Sequence, residues 1–266
     1  MDYNNLDPKL VEKAKQEAAG PLSIEMTKFP LLFATAVSFE YLTDVNSVHT
    51  VNNGTVTLVD LGSGQMAITC SHVLDEYRKR LKANNKFVFR IGNTVLNPLE
   101  YLIDESPELD LATIDLREIN IKEISLGKEI GTSFFRPETW PPDDVDVGDF
   151  ISFGGFPGKW KEHTSSGDLI FDSFSSGATE ISSINDEYFI CQFEREYWVE
   201  SLDIKNGKDL RELGGLSGGP VFLIRGNNGI MYYEFVGIVY QFSEGFDLLR
   251  IRSTKFINRD GSILRD

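Results

Sequence analysis

A serine inside a glycine-rich segment is the residue of this sequence best suited to chemistry. Ser217 lies in LGGLSGGPVF, residues 213–222, with two glycines on each side. A nucleophilic serine needs an exposed hydroxyl and nearby backbone N–H groups that stabilise the developing negative charge, and glycine permits the backbone conformations that this requires. A hairpin loop with an incidental serine would show the same composition, because Gly and Ser are common in turns. The segment predicts a nucleophile only if a general base accompanies it.

A histidine is the natural general base, because its pKa needs the least perturbation to operate near neutral pH. The sequence has three histidines. His72 ends an apolar strand pattern and begins a short polar turn in AITCSHVLDEY, whereas His49 and His163 lie in polar loops. His72 is therefore the candidate base, and the other two are expected to be surface residues.

An aspartate in front of a strand could orient this histidine. Asp110 precedes the apolar run LATIDL in SPELDLATIDL. A buried carboxylate that accepts a hydrogen bond from the imidazole fixes its tautomer and stabilises the imidazolium. The alternative is an aspartate that only bonds local backbone, and Asp104 and Asp115 are nearby competitors. Asp115 is expected on the opposite face of the strand because of its odd offset from Asp110.

These segments resemble the chymotrypsin-like serine peptidases. The order His, Asp, Ser is that of the family, and TCSHVL, LDLATI and GLSGGPVF look like its three motif blocks. FATAVSF, VGDFISFGGFPG and EFVGIVYQF are similar to barrel strands of the bacterial trypsin-like members. The resemblance implies an all-β fold of two six-stranded antiparallel β-barrels, here with a short N-terminal helix.

The resemblance also implies a role for each site residue. Ser217 would attack the scissile carbonyl, His72 would take and return the proton, and Asp110 would orient His72. The N–H groups of Gly215 and Ser217 would form the oxyanion hole. The strand ending near residue 242 would line the specificity pocket and pair with an extended polypeptide substrate, and its binding residues would be Tyr240, Gln241 and Phe242.

Two positions depart from the digestive members of the family or bear on specificity. Leu216 stands where those members have an aspartate that pairs with a newly cut amino terminus, so activation by that route is excluded. The enzyme would then be competent from synthesis or controlled by a regulatory protein partner. Arg211 stands six residues before Ser217, where it would favour an acidic substrate side chain or would be a solvent-exposed loop residue.

The surrounding elements must bring these distant segments together. Residues 1–27 are predicted to hold a helix, over 7–19, and a lead-in, and residues 28–135 read as short strands of a first barrel that carries His72 and Asp110. Residues 136–148, RPETWPPDDVDVG, are rich in proline and acidic residues and are predicted to be the inter-lobe linker. Residues 149–266 read as a second barrel that carries Ser217, the oxyanion hole and the pocket.

Composition narrows the partners and the compartment. The chain has 266 residues and a formal net charge of −15, which disfavours nucleic acid and anionic membrane surfaces. Its two cysteines, Cys70 and Cys191, lie far apart, and no secretory leader or apolar span is apparent, so a reduced, cytoplasmic protein is expected. The scattered His and Cys residues show no metal-ligand spacing, and neither a metal nor another cofactor is predicted.

Two other functions compete with a serine endopeptidase. A protease-like domain that has lost turnover could act as a protein-binding or scaffolding module, because a fold does not guarantee an activity. An esterase of the α/β-hydrolase type is disfavoured, because that fold needs a histidine after its nucleophile and no histidine follows Ser217.

Overall fold

The computed structural model describes residues 20–41, 49–83, 87–120, 132–163, 169–192, 213–227, 230–243 and 247–265, together with Lys9, Lys13 and Gln16. Apart from those three residues, the helix predicted over 7–19 lies outside the described part of the chain. A different helix, α1 (Pro21–Lys28), begins at once after Gly20 and has a proline in its first turn, where the missing N–H costs nothing. It passes into a 3₁₀ turn over Phe29–Phe33.

The N-terminal half of the described chain builds one antiparallel sheet, which we call the N-terminal sheet. Its strands are β1 (Ala34–Tyr41), β2 (His49–Asp60), β3 (Gln65–Thr69), β4 (Phe87–Ile91), β5 (Thr94–Leu96), β6 (Leu102–Ser106) and β7 (Leu111–Asp115). They follow one another in the order β5-β4-β1-β2-β3-β7-β6. A single helix, α2 (Ser71–Ala83), separates β3 from β4.

This sheet differs from the six-stranded barrel that the sequence predicts for the first lobe. The described strands form an open sheet of seven, with β5 and β6 at opposite edges. The run NKFVFRIG contains one strand, β4, as its apolar pattern predicts. Ile91 then pairs with Thr94 across the two-residue turn Gly92–Asn93, and the hairpin adds β5 after that run. Gly92 has φ of +57°, which the tight turn requires and glycine tolerates.

The C-terminal half forms a closed antiparallel barrel of six strands, which we call the C-terminal barrel and which agrees with the prediction for the second lobe. Its core is built from inward-facing apolar side chains, among them Phe153, Phe174 and Ile251. Its strands, in spatial order, are β11 (Phe174–Ile184), β12 (Tyr188–Gln192), β15 (Leu248–Ser253), β14 (Ile230–Ser243), β13 (Pro220–Asn227) and β8 (Phe150–Gly155). A separate hairpin pairs β9 (Lys161–His163) with β10 (Leu169–Phe171), and a 3₁₀ turn over Thr254–Phe256 follows β15.

An aromatic cluster joins the sheet to the barrel. Phe29 and Phe33, from the 3₁₀ turn, have ring centroids 5.1 and 5.6 Å from that of Phe222 on β13. The ring centroid of Phe135 lies 5.1 Å from that of Phe33, and the Phe135 backbone joins the sheet beside β2, because its N–H donates to the carbonyl of Leu58. The N-terminal segment thus packs between the two halves of the structure.

The predicted linker, residues 136–148, contains no helix or strand. Trp140 fixes it to the end of the chain, because its indole N–H donates to the carbonyl of Ile257 at 2.8 Å. The division of the chain into four units stays a prediction. In the described part of the chain, no helix has the length and hydropathy that a membrane crossing requires.

Candidate active site

His72 is the second residue of helix α2. The sequence predicts a short polar turn here, but the structure has one helix of 13 residues. One face of this helix is buried against the sheet and holds the helix there. Its buried apolar residues, at helical spacing, are Val73, Leu74 and Tyr77. The His72 side chain remains 51% exposed at the edge of a cleft.

Asp110 holds His72 at two points. Its Oδ2 lies 2.8 Å from Nδ1 of His72, and its Oδ1 accepts the backbone N–H of His72 at 2.9 Å. Asp110 has φ of +53°, a left-handed conformation that aspartate tolerates better than most residues, and it follows a turn in which its N–H donates to Pro107. The carboxylate therefore fixes both the ring and the start of the helix that carries it.

The competing aspartates are engaged elsewhere. Asp104 accepts the backbone N–H of Ile263 at 2.7 Å and pairs with Arg265. Asp115 pairs with Arg117 at the far end of β7. Asp110 is therefore the aspartate that serves His72, as the sequence predicts.

Residues 213–219 form the turn that we call the serine loop. Leu213 and Leu216 are buried and anchor it in the barrel, while Ser217 is partly exposed. The Ser217 hydroxyl donates to the carbonyl of Tyr240 at 3.3 Å. Among the described residues it makes no hydrogen bond to His72.

The backbone N–H groups of Gly215 and Ser217 donate to no acceptor among the described residues. Gly215 has φ of +106°, which favours glycine at this position. The carbonyl of Gly214 accepts the N–H of Gly158 at 2.6 Å. Because the C=O and N–H of a trans peptide point in opposite directions, this bond turns the Gly215 N–H away from Gly158. In the described part of the chain, neither N–H group is engaged by a protein acceptor.

One cleft of about 410 Å³ brings these groups together. The structure therefore gathers the sequence-predicted site residues, with the exception of Arg211, which lies outside the described residues. The cleft is lined by the triad candidates His72, Asp110 and Ser217, by Gly215, and by the predicted binding residues Tyr240, Gln241 and Phe242.

Strand β14 changes its pairing where it reaches the cleft. On one side, β14 pairs with β13 only as far as Ile238, which lies opposite Pro220. On the other side, β14 pairs with β15 as far as Ser243, which lies opposite Leu248. Beyond Val239, one edge of β14 has no partner strand in the described part of the chain. An exposed strand edge can accept an extended peptide as an additional strand.

The sequence analysis missed a basic group behind this strand. Arg250 on β15 donates to Gln241 Oε1 at 2.9 Å. The guanidinium of Arg252 lies 4.8 Å from the ring centre of Tyr240, in a cation–π contact. The alternating pattern of LLRIRS predicts that its two arginines lie on the same side of a strand. It does not predict that they contact side chains of β14.

Cys70 lies close to the histidine and the aspartate. Ligand atoms of Cys70, His72 and Asp110 lie within 4.8 Å of one another. Burial, and then the charge of Asp110, raise the pKa of the Cys70 thiol well above its ordinary value. The thiol donates to the carbonyl of Val239 at 3.5 Å, and His72 Nδ1 is bonded to Asp110.

A charged network supports helix α2 beside the site. The hydroxyl of Ser71 donates to Glu105 on β6 at 2.7 Å, and Arg78 donates to the same carboxylate at 2.9 Å. Burial raises the pKa of Glu105, but the hydrogen bonds from Arg78 and Ser71 outweigh burial and hold this pKa below its ordinary value. The residue before His72 is thereby tied to the sheet.

No protein-family model matches the chain, and no curated protein matches it in sequence. The chemistry that the site can perform follows from its geometry alone.

Proposed function

We propose that this chain is a serine endopeptidase of the chymotrypsin-like kind, in which the open N-terminal sheet takes the place of the first six-stranded barrel. The observation that carries the proposal is the convergence of His72, Asp110 and Ser217 in one cleft, beside two backbone N–H groups that donate to no acceptor in the described part of the chain. Three segments distant in sequence supply this arrangement.

The geometry supports a mechanism of acyl transfer. With the Nδ1 proton of His72 donated to Asp110, Nε2 carries a lone pair and can take the proton of the Ser217 hydroxyl as Oγ attacks the carbonyl carbon. The N–H groups of Gly215 and Ser217 then bind the oxyanion. His72 returns the proton to the leaving amine, and water releases the acyl group by the same steps, so no cofactor is needed.

The proposed substrate is a polypeptide in extended form. The unpartnered edge of β14 beyond Val239 runs along the cleft and offers backbone N–H and C=O groups at strand spacing. Tyr240, Gln241 and Phe242 would contact the side chains next to the scissile bond. We also propose a reducing, cytoplasmic compartment, because both cysteines are free and buried.

A fluorophosphonate probe tests the proposal. We expect the purified protein to be labelled at Ser217, with labelling abolished in Ser217→Ala and reduced by at least about 10³-fold in His72→Ala. Ser182→Ala is the matched control, because Ser182 is exposed, its hydroxyl donates to the carbonyl of Ile190, and neither residue lines the cleft. Equal labelling of wild type and Ser217→Ala, or failure of the wild type to react, would refute the proposal.

A catalytically silent, polypeptide-binding domain is the second candidate. It is favoured by one observation, namely that the Ser217 hydroxyl donates to Tyr240 and not to His72. Catalytic hydrogen bonds in unliganded sites are often long or misaligned, and rotation of the serine side chain would redirect the hydroxyl. Fluorescent casein separates the candidates: a peptidase generates new termini that Ser217→Ala does not, whereas a silent domain binds casein and leaves it intact in both proteins.

A further inference from the structure

A threonine of the N-terminal sheet contacts the serine loop, which belongs to the barrel. The hydroxyl of Thr55 on β2 donates to the carbonyl of Gly215 at 2.8 Å. The same hydroxyl accepts the backbone N–H of Phe156, just after β8, at 3.0 Å. The backbone N–H of Thr55 donates to the carbonyl of Ser217 at 3.0 Å. One residue therefore makes three hydrogen bonds across the junction of sheet and barrel.

Thr55 reaches the loop because the side chains of β2 alternate between two environments. Val56 and Leu58 pack in the core of the N-terminal sheet. Thr55 and Thr57 point the opposite way, and Thr57 donates to the carbonyl of Gly218 at 2.7 Å. Thr55 is fully buried, with 0% of its surface exposed, so its hydroxyl has a fixed set of partners.

These bonds restrain the peptide groups on both sides of Gly215. The bond from Gly158 holds the Gly214 carbonyl, and the bond from Thr55 holds the Gly215 carbonyl. Glycine would otherwise have the greatest backbone freedom of any residue, particularly near φ of +106°. With both flanking carbonyls held, the direction of the Gly215 N–H is set before any substrate arrives.

The serine peptide group is restrained in the same way. The carbonyl of Leu216 accepts the N–H of Gly219 at 2.8 Å, which fixes the plane that carries the Ser217 N–H. Leu216 itself is buried and apolar, so no ion pair holds the loop at that position. The loop is held by backbone bonds within the barrel and by a hydroxyl from the sheet.

We propose that Thr55 is a positioning residue, which holds the oxyanion-binding N–H of Gly215 in place from the opposite half of the structure; this inference rests on the proposed peptidase function. Without the hydroxyl, the Gly215 carbonyl and the Phe156 N–H lose a buried partner. The Gly215–Leu216 peptide group, which helps to set the conformation of Gly215, then keeps only the bond from its Leu216 N–H to the carbonyl of Leu213. With the Thr55 hydroxyl in place, these hydrogen bonds hold the serine loop in the uncleaved chain.

The test compares Thr55→Val with wild type in the reaction with the fluorophosphonate probe. Valine keeps the shape of threonine and removes the hydroxyl. We expect the maximal inactivation rate to fall by about tenfold to a hundredfold, with the half-saturating probe concentration unchanged, because the oxyanion donor acts in the transition state. Thr55→Ser should restore most of the rate.

Thr113→Val is the matched control, because it also removes a fully buried hydroxyl of the same sheet. Thr113 donates to the carbonyl of Gly261 at 2.6 Å, away from the serine loop. We expect it to lower the melting temperature as Thr55→Val does and to leave the inactivation rate unchanged. If Thr55→Val does not fold, Thr55→Ala and Thr55→Ser carry the same comparison, because they differ only in the hydroxyl.

The outcomes separate the two proposals. A reactive wild type with an equally reactive, folded Thr55→Val or Thr55→Ala would overturn the role of Thr55 and leave the peptidase proposal intact. A rate loss of the same size in Thr113→Val would also overturn it, because the loss would then follow general destabilisation. A wild type that does not react refutes the peptidase function, and this inference with it.

Discussion

Adding one methyl group at Gly215 should inactivate the site, whereas adding it at Gly214 should not. A Cβ on Gly215 would lie 2.6 Å from the nitrogen of Gly158 and 2.8 Å from the oxygen of Phe156. Both neighbours are backbone atoms, which cannot turn aside as a long side chain can. A Cβ on Gly214 meets nothing within 4 Å. The two neighbouring glycines thus form a matched pair.

The energetic cost of Gly215→Ala has two parts. An alanine near φ of +106° costs about 1–2 kcal/mol in backbone strain, and displacing Gly158 forfeits a hydrogen bond worth about 1 kcal/mol. The total cost of about 2–3 kcal/mol is smaller than the free energy of unfolding of an ordinary domain, about 5–15 kcal/mol, so we expect the loop to move rather than the protein to unfold. Loss of the Gly215 donor then slows the reaction by about 10²- to 10³-fold.

The assay is the rate of fluorophosphonate labelling of Gly215→Ala and Gly214→Ala, measured together with urea unfolding of each. We expect Gly214→Ala to react as wild type does. A Gly215→Ala protein that is folded and reacts within about threefold of Gly214→Ala would show that the Gly215 N–H does not bind the oxyanion.

Three further predictions concern charges around the site. Asp110→Asn should slow fluorophosphonate labelling by about 10³- to 10⁴-fold, because the amide no longer fixes the imidazole tautomer, and an unchanged rate would remove Asp110 from the triad. Glu105 has a lowered pKa in the folded state, so its stabilisation is present above its ordinary value of 4.5 and is lost as the pH falls; Glu105→Gln should flatten the acid side of a plot of unfolding free energy against pH. Burial raises the thiol pKa of Cys70 and of Cys191, so both thiols should resist iodoacetamide at pH 8 in the folded protein. The free energy of unfolding should also fall as the pH rises above 9.0, the ordinary thiol pKa, because the unfolded chain then loses protons that the folded protein keeps. An unfolding free energy that does not change with pH in that range would contradict the raised thiol pKa values.

Local pattern was sufficient to single out His72, Asp110 and Ser217, which the structure brings to one cleft, and to predict most of the strands around them. Asp110 stands in front of β7 as LDLATI predicts, and β13 follows the serine loop directly. Period-two alternation and glycine-rich turns are properties of neighbouring residues, so they can be read from a single sequence. The turn expected at His72 was too short, although the buried face of α2 was readable in its apolar spacing.

Contacts between distant segments could not be predicted in this way. The hydrogen bond from Thr55 to Gly215 joins residues 160 positions apart, and GTVT shows only that its threonines share a face. The residues near GTVT in the sequence do not predict that this face contacts the serine loop. The open form of the N-terminal sheet was missed for the same reason, because it depends on whether the distant edge strands β5 and β6 pair with each other.

Thr55 and Thr57 of β2 connect the serine loop to the N-terminal sheet. The loop is covalently part of the barrel, yet three of its carbonyls take their hydrogen from the sheet. A barrel produced as a separate fragment would carry the nucleophile without the brace that shapes its surroundings. Grafting this barrel onto a foreign sheet would succeed only if the graft brought a hydroxyl to the place of Thr55, so the two halves are constrained to change together.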